Sequence, residues 1–352
     1  MNTNKLKATF LLAALAVLFT ACEKEENDLD VNASNPSANS KNASINQKNY
    51  NPTSTITVEN GMLQFLSIDH FIETEYYLNN QLDIWDDAFL NLYGHLDDDS
   101  LASVEDSLNY NEDQPLVNLE NSLNFNSLRK LIVTQEDAWL ENDGEDINLD
   151  PDNHYITDDV IRTLLNEYAE VKIDSSIFIM LELATVQIVN GSLLSLDSVR
   201  NATDITSVIS SNIKLIDEPI NLGKTSLIGG THKADCGASL KRKADKETIG
   251  KNRIKWVISV WTHPWDCGPI AKTKNYKKKK GKWKKRRAYI SAEVSGKMVD
   301  ASCSEHNVFD IKQKRRKKVK TARPGDLCKT KRYLIRGVHT SPNITYLSTL
   351  TW

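Results

Sequence analysis

A change of charge sign two thirds of the way along the chain constrains its fold more than any motif does. Residues 231–352 hold 32 basic and 9 acidic side chains, a balance of about +23. Residues 1–230 hold 12 and 38, about −26, and the whole-chain value of −3 conceals the split. Each half alone raises its own energy by self-repulsion, so each needs a counter-charge, either an external polyanion or the other half.

The apolar pattern changes where the charge does. Residues 56–220 carry helical spacing: Ser67 caps a helix bearing Ile68, Phe71, Ile72 and Tyr76, and Ile84, Trp85, Ala88, Phe89 and Leu92 mark a second apolar face. Leu128, Leu131, Ile132 and Trp139 mark a third. Thr157, followed by Asp158 and Asp159, reads as an N-cap ahead of Val160, Ile161, Leu164, Leu165 and Tyr168. Val171 to Ile179 reads as a hairpin turning at Asp174-Ser175-Ser176, and Leu193 to Val199 as a short helix. The basic half alternates with period two at Ile254, Trp256, Ile258 and Val260, at Ala288, Ile290, Ala292 and Val294, and at Ile344, Tyr346, Ser348 and Leu350. Tyr333, Ile335 and Gly337 add a strand, with turns at Pro324-Gly325-Asp326 and Ser341-Pro342-Asn343. The expected class is α+β, a mainly helical acidic domain followed by a disulfide-braced antiparallel β sandwich or small barrel.

The chain begins with Lys5 and Lys7 and an apolar run, Ala8 to Phe19, too short to span a bilayer. The run ends in Leu18-Phe19-Thr20-Ala21-Cys22, which resembles the lipobox of bacterial lipoproteins, with Phe19 departing from the usual aliphatic residue. The resemblance implies cleavage before Cys22 and lipidation of that cysteine, with two or three acyl chains anchoring the protein in a membrane. Cys22-Glu23-Lys24-Glu25-Glu26 resembles the surface-export signal of Bacteroidetes lipoproteins, which implies the outer face of the outer membrane; without it the protein stays on the periplasmic side. Leu164-Leu165-Asn166-Glu167-Tyr168 and Val171-Lys172-Ile173-Asp174 are similar to a recurring segment of uncharacterised Bacteroidetes lipoproteins. Asp99-Ser100-Leu101, Asp106-Ser107-Leu108 and Asp197-Ser198-Val199 fit the short pattern at which that group O-glycosylates exported proteins. The expected organisation is a signal peptide (1–21), a lipidated disordered tether (22–55), the acidic helical domain (56–220), a linker (221–235) and the basic β domain (236–352).

Apart from Cys22, the cysteines are Cys236, Cys267, Cys303 and Cys328, all in the basic half. An even count in an exported β domain predicts two disulfides, with three connectivities open. His232, His263, His306 and His339 do not stand at metal-ligand spacing from them, so no metal site is expected.

Catalytic motifs are missing. Gly223-Lys224-Thr225 resembles the end of a phosphate loop, but Glu218 stands where the first glycine belongs. Asp146, Asn148, Asp150 and Asp152 suggest a calcium loop, but Pro151 occupies the glycine position and Thr157 that of the last carboxylate. Trp261, His263, Trp265 and Asp266 could hold a sugar ring, or simply form a turn beside Cys267. No cofactor is expected.

Two cation clusters remain. The first is Lys277, Lys278, Lys279, Lys280, Lys282, Lys284, Lys285, Arg286 and Arg287, and the second includes Lys314, Arg315, Arg316, Lys317 and Lys318. They predict a non-enzymatic, membrane-anchored binding or adhesion protein whose basic domain engages a polyanion, whether lipopolysaccharide, an acidic glycan or nucleic acid. Lysine outnumbering arginine favours diffuse charge recognition over base reading. The alternatives are a structural protein whose two halves dock on each other, and a glycan-active hydrolase using paired carboxylates.

Overall fold

In the computed structural model the described residues are 51–182, 184–217, 241–263, 266–299, 305–322 and 332–351. They form an α+β structure with three sheets. Cys22, Cys236, Cys303 and Cys328 lie outside the described residues, and of Cys267 only the backbone is described, so the lipidation and disulfide expectations fall outside them too. The turn at Pro324 and the segment at Gly223-Lys224-Thr225 also lie outside, as do the side chains of Trp261, His263, Trp265 and Asp266.

The acidic half is mainly helical, as the spacing predicted, and its helices pack on a six-stranded sheet of which the spacing showed only the hairpin at Asp174. Its strands are β1 (Thr57–Glu59), β2 (Met62–Phe65), β3 (Glu170–Ile173), β4 (Ser176–Met180), β5 (Thr185–Ile188) and β6 (Ile213–Asp217), in that order across the sheet. All neighbours are antiparallel except β2 and β3. These strands are three to five residues long, too short to print a period of two on the sequence. In β4 all five residues are buried, because both faces of the sheet are covered. Phe178 and Met180 join a core with Phe71, Leu128 and Ile161, while Ile177 and Ile179 join Leu196 and Val199 on the other side.

The helices are α1 (Ile68–Tyr93), α2 (Asp98–Leu108), α3 (Gln114–Ser122), α4 (Leu128–Glu141), α5 (Asp159–Leu164) and α6 (Leu193–Arg200). The two apolar faces expected between Ile68 and Leu92 belong to one continuous helix, capped by the Ser67 side chain, which accepts from the His70 amide. The helix expected from Thr157 starts one residue later. Asp158 is the cap, accepting from the amides of Val160 and Ile161. It ends at Leu164, since Leu165 is already extended, so Tyr168 lies beyond it and is 59% exposed. The hairpin at Asp174 and the helix at Leu193 are as predicted.

The basic half is two antiparallel sheets. One runs β10 (Lys282–Lys285), β9 (Asp266–Lys279), β8 (Asn252–His263), β7 (Lys241–Ile249), with β13 (Lys318–Ala322) also paired to β9. The other runs β12 (Glu305–Arg316), β11 (Ala288–Val299), β14 (Arg332–Ser341), β15 (Ile344–Thr351). Trp256, Ile258, Ala271 and Val319 of the first share one core with Ile290, Ala292, Val294, Ile335 and Leu350 of the second. Neither sheet closes into a barrel among the described residues. Two of the chain's passages between the sheets, at Arg286-Arg287 and at Arg316-Lys317, meet β9 at Asn275. The Asn275 amide donates to the Lys317 carbonyl, and the Arg286 amide donates to the Asn275 carbonyl. That pivot places the most cationic residues at one end of the two sheets, against α1 and α2.

Candidate functional site

A strand with an apolar face must turn its other residues the opposite way. In β8, β9 and β13 the residues turned away from the shared core include Lys255, Lys272, Lys274, Lys318 and Lys320, among Arg253, Val257, Ser259, Ile270 and Tyr276. Register puts Lys255 opposite Lys274 and Lys274 opposite Lys318, three ammonium groups in one row, with Lys272 opposite Lys320 in the next. Like charges directly opposite are destabilising. Yet Lys255, Lys272 and Lys274 are buried, because the acidic half covers this face.

The covering residues come from α4, the loop after it, and α5. Glu136 accepts from Lys274 at 3.0 and 3.1 Å, from Lys255 at 3.2 Å and from the Tyr276 hydroxyl at 2.8 Å, and pairs with Lys285 at 2.9 Å. Asp152 pairs with Arg162 at 2.6 Å, Lys274 at 2.8 Å and Lys272 at 3.3 Å. Asp159 pairs with Lys318 at 2.6 Å and Lys272 at 3.2 Å, and Asp150 pairs with Lys255. Burial alone would raise the Glu136 and Asp152 carboxyls, but the surrounding ammonium and guanidinium groups override it and hold both well below the usual range. Burial pushes Lys272 down to about 8 in spite of its two carboxylates. Asp150 and Asp152 of the loop whose spacing suggested calcium therefore do hold cations, but these are lysines and one arginine. Among the described residues no cluster of metal-ligating side chains is present.

A cavity of about 30 Å³ lies inside this network, lined by Glu112, Asp113, Glu136, Asp152, Asp159 and the cations bound to them. It has room for a water or two and none for a sugar ring.

At the crossings, Arg287 is fully buried between Asp86 at 2.8 Å and Glu105 at 2.6 Å. Arg316 reaches Asp86 at 2.6 Å. Arg315 binds Asp98 and donates to the carbonyls of Gly94 and Leu96, placing its charge at the negative end of α1. Lys314 pairs with Asp83 at 3.0 Å, and Lys317 with Glu105 at 3.4 Å. Lys318 adds Asp113 at 2.7 Å. Arg286 and Lys277 share Asp99, and Lys278 lies 3.6 Å from Glu145 and over the Trp283 ring.

Ten of the fourteen cations singled out in the sequence are thus paired with carboxylates between Asp83 and Asp159. The other four, Lys279, Lys280, Lys282 and Lys284, are exposed and have no ion pair among the described residues. Sequence reasoning missed Lys255, Lys272, Lys274 and Arg253, which stand singly. Their signal was available as a charge at every second position of an apolar strand. The three serines of the glycosylation pattern lie on α2 and α6, where Ser100 donates to Asp97, Ser107 to the Val104 carbonyl and Ser198 to the Leu194 carbonyl.

No family model matches the chain, and no curated protein does. Among solved structures, a DUF4848 family protein from Bacteroides thetaiotaomicron is 10% identical, with a TM-score of 0.21, over 84% of this chain and 100% of that one. A likeness at that level carries no argument about this chain.

Proposed function

We propose that the protein is an exported, lipid-anchored binding protein without catalytic activity, held to the outer membrane through Cys22 and facing outward. In this reading the acidic half is an internal counter-charge. It neutralises most of the basic half and leaves one lysine-rich hairpin free to engage a polyanion. Disulfides among Cys236, Cys267, Cys303 and Cys328 brace the two basic sheets as a sandwich. The supporting observation is the unequal pairing of the two clusters: ten cations meet carboxylates, and the four without one sit together on one hairpin. The test is retention of the full-length protein, in detergent, on immobilised heparin, lipopolysaccharide and DNA from low to high salt. Retention at low salt that fades with salt is expected.

The same ion pairs favour a second reading, in which docking of the halves is the whole purpose of the charge split. It predicts no retention on any of the three matrices at low salt, the outcome that would sink the first.

A further inference from the structure

The β9–β10 hairpin carries two different faces. Tyr276, Lys278, Trp283 and Lys285 share one face, as the register pairs Lys285 with Tyr276 and Trp283 with Lys278. That face is turned toward α4 and its loop, where Lys285 meets Glu136, Trp283 donates to Glu145 at 2.8 Å, and Arg253 stacks on the Trp283 ring at 3.8 Å. The other face carries Lys277 opposite Lys284 and Lys279 opposite Lys282. These are two like-charged pairs, side by side, about 7 Å apart along the strand and about 5 Å across it. Lys277 alone has a partner, Asp99, itself 77% exposed. The turn between the strands is Lys280-Gly281, both at positive φ (52° and 84°), the two-residue geometry that fixes hairpin register and so keeps the four lysines on one face.

Two features of the surroundings narrow what this face accepts. It presents no aromatic ring, because Trp283 is buried on the opposite side, so it offers no platform for stacked bases. Its base is ringed by carboxylates. Asp99, Asp137 and Glu145 are exposed and lie within 4 Å of Lys277, Lys285 and Lys278. A broad anionic surface such as a bilayer or a DNA duplex would meet those carboxylates together with the lysines, whereas a narrow chain lying along the ribbon would not.

Resting on the binding reading above, we infer that Lys277, Lys279, Lys282 and Lys284 form a docking face for a linear anionic glycan, recognised by charge alone. The test compares the full-length protein with K279Q/K282Q/K284Q and with K297Q, a control at an exposed lysine of β11. Binding of heparin oligosaccharides, lipopolysaccharide and duplex DNA is measured at low salt, and circular dichroism confirms that all three proteins fold. The expected result is heparin binding weakened about tenfold or more in the triple variant, with a flatter salt dependence, and no change in K297Q. Heparin binding that survives the triple substitution overturns this face while leaving the binding reading intact. Tip-dependent binding that is tighter to DNA or lipopolysaccharide overturns the ligand class. No binding to any of the three overturns both the inference and the reading beneath it.

Discussion

The lysine row Lys255–Lys274–Lys318 and the lysine quartet of the β9–β10 hairpin are made by the same rule of sequence, a cation at every second position of a strand, and they end in opposite environments. The row lies beneath α4 and α5, surrounded by Glu136, Asp150, Asp152 and Asp159. The quartet extends from the end of the sheet into solvent. The difference teaches that a run of lysines has no fixed meaning. In the row Lys255 and Lys274 have lost their water and depend on carboxylates, whereas in the quartet Lys279, Lys282 and Lys284 keep their water and repel their neighbours, with Lys277 alone paired, to the exposed Asp99.

Acid should break the comparison most completely. The carboxyls of Glu136, Asp152 and Asp159 are held well below their ordinary values, against burial, by the lysines and arginine around them. A carboxyl depressed on folding stabilises the fold above its unfolded pKa, near 4, and that contribution is lost as pH falls through the folded value. Two histidines, His339 buried and His154 partly buried, act from higher pH. Burial lowers His154 to about 4 and His339 to about 3, so each favours the unfolded state once pH drops below about 6.5. Thermal melts of the whole protein should therefore fall from pH 6.5 downward and steepen below pH 4. A melting temperature flat from pH 7 to pH 3 would refute the buried network.

The next largest effect is removal of one acid from the row. Asp152→Ala leaves Lys272, Lys274 and Arg162 short of a counter-charge in a buried place, and should cost about 3–5 kcal/mol in urea unfolding. A loss under about 1 kcal/mol would mean that water reaches these lysines. Lys285 stands between the two environments. It is 28% exposed, and its partner Glu136 keeps Lys255 and Lys274 when it is gone. Lys285→Met should cost only about 1 kcal/mol by the same measurement.

The sequence carried half of this picture. The long β strands were legible because Ile254, Trp256, Ile258 and Val260 alternate over enough residues to fix a period, and the hairpin at Asp174 because its turn residues flank apolar triplets. The rest of the six-stranded sheet was not, since β2 and β5 are four residues long and largely buried on both faces, and β1 and β6 are three and five long, so no alternation shows. The basic clusters were visible as composition. Which cations would be covered was decided by contacts of more than a hundred residues' separation, such as Lys274 with Glu136 and Arg287 with Asp86. No local pattern encodes those. What the sequence did hold was the parity of each lysine along its strand, and that assigns Lys278 and Lys285 to the covered face and Lys279 and Lys284 to the open one.

The smallest effect is the sharpest test of that parity. On the open face Lys279 and Lys282 are directly opposite one another with no ion pair among the described residues, so removing one charge relieves repulsion and leaves no partner stranded. Lys279→Gln should stabilise the protein by about 0.2–1 kcal/mol at low salt, the reverse in sign of Lys285→Met six residues away. The gain should vanish near 1 M salt, where screening reaches about 3 Å, shorter than the spacing of the pair. If Lys279→Gln instead destabilises the protein at low salt, that lysine has a carboxylate partner and the open face is covered.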